Sequence, residues 1–184
     1  MKNKVLILFL VLLLGVLTAG CGGQEQQGVD ELHDQQYGET EGTVIQQYFA
    51  STTYIYEGQD EENGELMPPV EFSLECEEGE NIYVAAVNSL IDLPEGQDQY
   101  YTMMQERYVC NNVTVEDGMA YVDFSSEGLE GGATTEMVLI DQIVYTLANS
   151  FEEIAAVQFT VDGQKTETLM GHIDTSEAFV ADYL

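Results

Sequence analysis

Two Asp-Gly dipeptides, each set between runs that alternate apolar and polar residues, constrain this chain more than any other feature. Both central residues of a two-residue hairpin turn need positive φ, which Gly, Asn and Asp adopt at least cost. In 111–124 the turn at Asp117-Gly118 sets Val115 opposite Ala120, Val113 opposite Val122 and Asn111 opposite Phe124. One face of that ribbon is apolar, while the other carries Thr114, Tyr121 and acids, so the register is specified by burial. Asp162-Gly163 joins 156–161 to 164–168 in the same way, with Val157, Phe159 and Val161 on the buried face.

The remaining elements follow from periodicity. Thr52–Tyr56 reads as a strand from its β-branched and aromatic content, 57–65 as an acidic loop, and Val70–Leu74 as a second strand. A helix is expected from about 79 to 92, with Ile82, Ala86, Leu90 and Leu93 on one side and Glu77, Glu78 and Glu80 near its positive end. Pro94 and Gly96 stop it. A second helix is expected from about 134 to 149, its stripe of Met137, Ile140, Val144, Leu147, Ala148 and Phe151 facing a core. The order contains the split β-α-β-β-α-β arrangement. The expectation is therefore one small α+β domain over 43–184, a mostly antiparallel sheet with two helices packed on one face.

Ahead of it, residues 1–20 have the pattern of an export signal: Lys2 and Lys4, an apolar run from Val5 to Val16, then small residues. The run is too short for a bilayer span, which takes about 20 residues. Leu17-Thr18-Ala19-Gly20-Cys21 resembles the lipobox of bacterial lipoproteins, in which the Cys thiol receives a diacylglyceryl group and the signal is cut before it. That resemblance implies a lipidated Cys21 and attachment to the membrane. Residues 21–42 are rich in Gly, Gln and acids, with little to bury, and read as a disordered tether spanning about 25 Å on average.

Val113-Thr114-Val115-Glu116-Asp117-Gly118-Met119-Ala120-Tyr121-Val122-Asp123-Phe124-Ser125 resembles the V-x-V-x-D-G-x-A-x-V-D-F-S core of GerMN domains. Glu136 to Leu147 is similar to their E-x-x-x-x-x-Q-I-V-x-T-L helix, and Phe159 to Gly163 to their V-x-F-x-V-D-G strand. Thr168-Leu169-Met170-Gly171-His172-Ile173-Asp174-Thr175-Ser176-Glu177 is similar to T-L-x-G-H-x-D-L-S-E-P, with Thr175 in place of the usual Leu. The residues that carry the likeness are Asp117, Gly118, Asp123, Phe124, Ser125, Asp162, Gly163, Gly171, His172, Asp174, Ser176 and Glu177. The resemblance implies a fold like that of the ring-building modules of secretion machines, a place in sporulation or spore germination, and a non-enzymatic scaffold in a Gram-positive envelope. It permits self-assembly without requiring it.

Charge excludes other classes. Thirty-four acids oppose four bases, and two of those bases lie in the leader, leaving Arg107 and Lys165. Nucleic-acid binding needs clusters of Lys and Arg, and so does docking flat on anionic lipid. No catalytic residue is expected: Ser125, His172 and Asp174 make a triad only on paper, because no Gly-x-Ser-x-Gly elbow is present. Instead Gly171-His172 is expected to turn the chain and Asp174 to cap a short segment, with Glu177 three residues on. Zinc would want several His or Cys at close spacing, and the acidic stretch Asp60–Glu65 breaks the spacing of a calcium loop. No metal or cofactor is expected. Cys76 and Cys110 are the candidates for a disulfide in an extracytoplasmic domain, on condition that the second strand neighbours the third. The hairpin register puts Cys110 on the less apolar face. The sequence thus points to a membrane-anchored lipoprotein whose domain holds envelope proteins together, with a cation- or small-ligand-binding surface protein as the alternative.

Overall fold

Both Asp-Gly turns form as their chemistry requires: Asp117 and Gly118 have φ of 49° and 83°, and Asp162 and Gly163 have φ of 50° and 74°. The computed structural model describes residues 42–56 and 66–181. The leader, Cys21, the tether and the acidic loop 57–65 lie outside the described residues. Around the first turn, β5 (Cys110–Glu116) pairs antiparallel with β6 (Met119–Phe124), and Val115 faces Ala120 and Val113 faces Val122 as expected. The last pair differs. A bulge between Cys110 and Asn112 sets Cys110, not Asn111, opposite Phe124. An extra residue in one strand shifts every side chain beyond it by one place. Cys110 therefore lies in the core, against the expectation that it would occupy the less apolar face.

From β6 the chain crosses through α3 (Ala133–Ser150) to β7 (Ala156–Val161), which lies parallel to β6. A parallel neighbour needs such a crossover. On the far side of β7 lie two short antiparallel strands, β8 (Gln164–Lys165) and β9 (Phe179–Val180). Ala120, Val122 and Phe124 stand beside Val157, Phe159 and Val161, one apolar face onto which the helices pack.

The N-terminal part departs most from expectation. A strand the sequence did not suggest, β1 (Thr43–Tyr48), pairs antiparallel with β3 (Pro69–Leu74) in a separate two-stranded sheet. A second small sheet joins β2 (Ala50–Ser51) to β4 (Tyr100–Tyr101). Thr52–Tyr56, expected as a strand, is a short helix, α1. The Ser51 hydroxyl accepts the Tyr54 amide, and Tyr54 is buried with Val138 and Tyr145. A cap and tertiary burial outweigh β propensity, which is a weak prior.

The first expected long helix is also shorter, with α2 (Ile82–Asn88) tightening into a 3-10 turn at Ser89–Ile91. Asn81 Oδ1 accepts from the Tyr83 and Val84 amides and so sets the start after Glu80. The second helix holds at α3 but is buried beyond one stripe: Val138, Leu139, Ile143 and Tyr145 are covered too. The reason is that β1 packs on its other side. Gln142, Thr146 and Ser150, one per turn, bond the free edge of β1. The Gln46 amide donates to Ser150 Oγ at 2.9 Å and the Tyr48 amide to Thr146 Oγ1 at 3.2 Å. Gln142 Nε2 donates to the Tyr48 carbonyl at 3.2 Å, and its Oε1 accepts from the Met103 amide at 2.8 Å. The α+β class stands, with two satellite sheets added to the main one. No described helix is long and apolar enough to cross a membrane.

Candidate functional site

Asp123, on the polar face of β6, gathers three donors. Its Oδ1 accepts from Thr160 Oγ1 and from the Gly163 amide, both at 2.7 Å, and its Oδ2 accepts from Asn111 Nδ2 at 3.0 Å. One carboxylate thus fixes the bulge of β5, the strand β7 and the second Asp-Gly turn. Partial burial works against its charge, but the hydrogen bonds from Thr160, Asn111 and Gly163 outweigh it and hold the carboxyl below its ordinary pKa. A folded-state pKa below the unfolded one adds stability that is present above the unfolded value and lost as pH falls through the folded one. Asp123→Asn should therefore flatten the acid limb of the stability curve below about pH 4. At neutral pH it should cost about 1–2 kcal/mol. Urea unfolding of both proteins between pH 2 and pH 7 checks this, and parallel acid limbs would contradict it.

Glu136 does the same for the tail, and does so fully buried. Its Oε1 accepts from the Leu169 and Met170 amides and its Oε2 from the His172 amide, each at 2.8 Å. Gly171, at φ 96°, supplies the left-handed step that lets successive amides converge on one anion. The His172 ring is exposed, and its Nε2 lies 3.2 Å from the Gly131 carbonyl. Asp174 closes a local turn, its Oδ1 accepting from the Ser176 amide at 2.9 Å and from the Ser176 hydroxyl. Residues 174–178 are not helical, so the expected cap is a turn, and Glu177 takes no part in it. Thr175, where the family usually has Leu, is buried. Its amide donates to the Glu167 carbonyl and its hydroxyl to the Thr166 carbonyl, while its own carbonyl accepts from Gln158 Nε2 at 2.8 Å.

Ser125 is engaged elsewhere: its amide donates to the Val109 carbonyl and its hydroxyl accepts the Glu127 amide. Ser125, His172 and Asp174 thus each bond to a different partner, and no nucleophile-base contact joins them. Phe124 is in the core, and Asp162 Oδ1 accepts the Ser126 amide at 3.3 Å. Glu136 and Gln142 went unrecognised as fixing residues in the sequence. The signal available was a charged and a polar residue on an otherwise apolar helix. Among the described residues no group of three His, Cys, Asp or Glu is placed to hold a metal ion.

The expected disulfide is not present in this structure. Cys76 and Cys110 are free thiols, the first donating to the Glu80 carbonyl and the second to the Asn112 carbonyl, both at 3.7 Å. The second strand pairs with β1 rather than with β5, which removes the condition for a bridge. Burial, with the Asp123 charge adding to it, pushes the Cys110 thiol up to about 12. Local desolvation and the charges of Glu80 and Glu77 raise Cys76 as well, in a shallow depression lined by Glu75, Cys76, Glu77, Glu78 and Glu80. Since the thiolate is the reactive form, iodoacetamide at neutral pH should label Cys76 slowly and Cys110 only after unfolding. Peptide mass mapping without reductant checks this; a Cys76–Cys110 linked peptide would refute it.

Comparison with known proteins places this geometry. The family model described as sporulation and spore germination, Germane, matches residues 46–167. The first GerMN domain of the sporulation protein GerM from Bacillus subtilis is similar in structure, with a TM-score of 0.56 at 15% identity. That match covers 76% of this chain and 97% of that one. The tandem GerMN domains of the same protein match with a TM-score of 0.56 at 15% identity, over 74% of this chain and 45% of that one. The chain thus spans less than half of the tandem pair. A Clostridium perfringens protein provisionally named a lipoprotein has a TM-score of 0.48 at 21% identity, over 74% of this chain and 86% of that one. No curated protein matches. Matched by the family model over more than half its length, the chain belongs to the Germane, or GerMN, family of sporulation and spore germination.

Proposed function

We propose that this protein is a lipoprotein on the extracytoplasmic face of a Gram-positive cell membrane. In this reading residues 1–20 are its leader, Cys21 its lipidated anchor and 21–42 its tether. Its GerMN domain acts as a non-enzymatic protein-interaction module of the envelope during sporulation or germination. The observation that carries the reading is the use to which the family's residues are put. Asp117, Gly118, Asp123, Asp162, Gly163, Gly171 and Asp174 all close turns or clamp strands, and Ser125 and His172 bond to backbone. Such residues build a rigid platform, and recognition is left to its surface. The test is cross-linking of the lipidated protein in living cells, during growth and during sporulation, with captured proteins identified by mass spectrometry. A specific envelope partner that disappears when the domain is deleted and the tether kept is the expected result. Capture of nothing beyond lipid and wall would overturn the reading, and capture of the same chain would make the module a self-assembling one.

A further inference from the structure

A strand with an unpaired edge is a template for another strand, and proteins close such edges by bulges, short strands or cover. Nearly every edge described here is closed. The inner edge of β1 is taken by Gln142, Thr146 and Ser150 of α3. The outer edge of β5 carries the bulge, and Asn81 Nδ2 donates to the Val113 carbonyl at 2.8 Å. The strands β2, β4, β8 and β9 are two residues each. By contrast β3 runs for six residues with no strand on its outer side among the described residues, and after Pro69, which has no amide to offer, the edge is open from Val70 on.

The register says what an added strand would meet. Val70 and Phe72 lie opposite Gln47 and Ile45 on the side packed against the core, whereas Glu71 and Ser73 lie opposite Gln46 and Val44 and are exposed. Glu71 stands mid-strand, and Glu75, Glu77, Glu78 and Glu80 continue the acidic surface beyond its C-terminal end. A second copy of this chain, with 34 acids against four bases, would bring like charge onto Glu71. A basic segment would be attracted. From the open edge and this charge we infer that β3 is a docking edge for an extended segment of another protein in which Lys or Arg alternates with apolar residues. The segment adds as a strand, its apolar side chains beside Val70 and Phe72 and its basic ones beside Glu71 and Ser73. This rests on the interaction-module reading and names its surface and the chemistry of its partner.

The test takes the full-length protein in detergent and a synthetic hexapeptide alternating lysine and valine. Controls are a peptide of the same composition with its lysines and valines in separate blocks, and one alternating glutamate and valine. Hydrogen exchange read at single residues should slow at Glu71 and Ser73, whose amides point away from β1, with the alternating basic peptide and not with either control. Glu71→Lys, at an exposed site, should weaken that binding by roughly tenfold through loss of one attraction and gain of one repulsion. Unchanged exchange in α3 shows that the variant is folded. Slowing spread over the acidic surface, equal slowing by the block peptide, or indifference to Glu71→Lys would overturn the inference. So would slow exchange at Glu71 and Ser73 without peptide in a sedimenting dimer, which would assign the edge to a second copy. If this test fails while cell cross-linking still captures a partner, the module reading survives and its surface lies elsewhere.

Discussion

Replacing Glu136 by Ala should destabilise the protein by about 3–5 kcal/mol, the summed cost of leaving three backbone amides, two of them on residues that are not exposed, without their acceptor. Three amides, those of Leu169, Met170 and His172, would lose their acceptor at once. Two of them belong to residues that are not exposed, so water cannot replace the carboxylate without opening the loop. Glu136→Gln should fall between wild type and Ala, at about 2 kcal/mol, because one carbonyl oxygen remains while the new NH2 group faces donors. Urea unfolding gives the stabilities. Hydrogen exchange adds the location: the amides of Leu169, Met170 and His172 should exchange much faster in both variants, ahead of those in β6 and β7. Equal exchange in that loop, or a loss under about 1 kcal/mol for the Ala variant, would show that the tail is held by packing alone.

Phe159→Ala should cost a similar amount, about 3–5 kcal/mol, through lost burial and the cavity left behind. Phe159 is fully buried at the middle of β7, beside Val122 on β6, and its ring meets Phe179 edge to face at 5.8 Å. The ring pair itself is worth about 0.5–1.5 kcal/mol beyond area. Phe179→Ala combined with Phe159→Ala should therefore cost less than the sum of the two single changes. Tyr121→Ala, on the opposite face of the same sheet, is the control and should change stability by less than about 1 kcal/mol. Additive losses at 159 and 179 would mean that β9 does not depend on that contact.

The stretch from Val113 to Ser176 was legible because its information is local. Asp-Gly fixes a turn, alternation fixes a face, and α3 declares its apolar side by spacing. The N-terminal stretch was not legible, because what decides it is far away in sequence. Gln46, Gln47 and Tyr48 do not look like a strand; they become one because Ser150 and Thr146, about a hundred positions on, bond to it. Thr52–Tyr56 carries strand-forming residues and is helical because Tyr54 is drawn under α3. The bulge at Asn111 left no mark that alternation could reveal, and through it the position of Cys110 was misread. Asp123 was visible as part of a motif, but its role depends on Thr160 and Gly163, which only the parallel pairing brings within reach.

The polar ladder along α3 has a temporal consequence. Loop closure over about a hundred residues is entropically slow, whereas the β5–β6 hairpin and the crossover to β7 close over far shorter spans. The strand at 43–48 is made before the rest of the domain and yet has nothing to pair its inner edge with until the helix at 133–150 has been made and folded. Whatever β1 and β3 form early, the inner edge of the domain's first strand can be closed only once its long helix is in place, so its end is the template on which its beginning is completed.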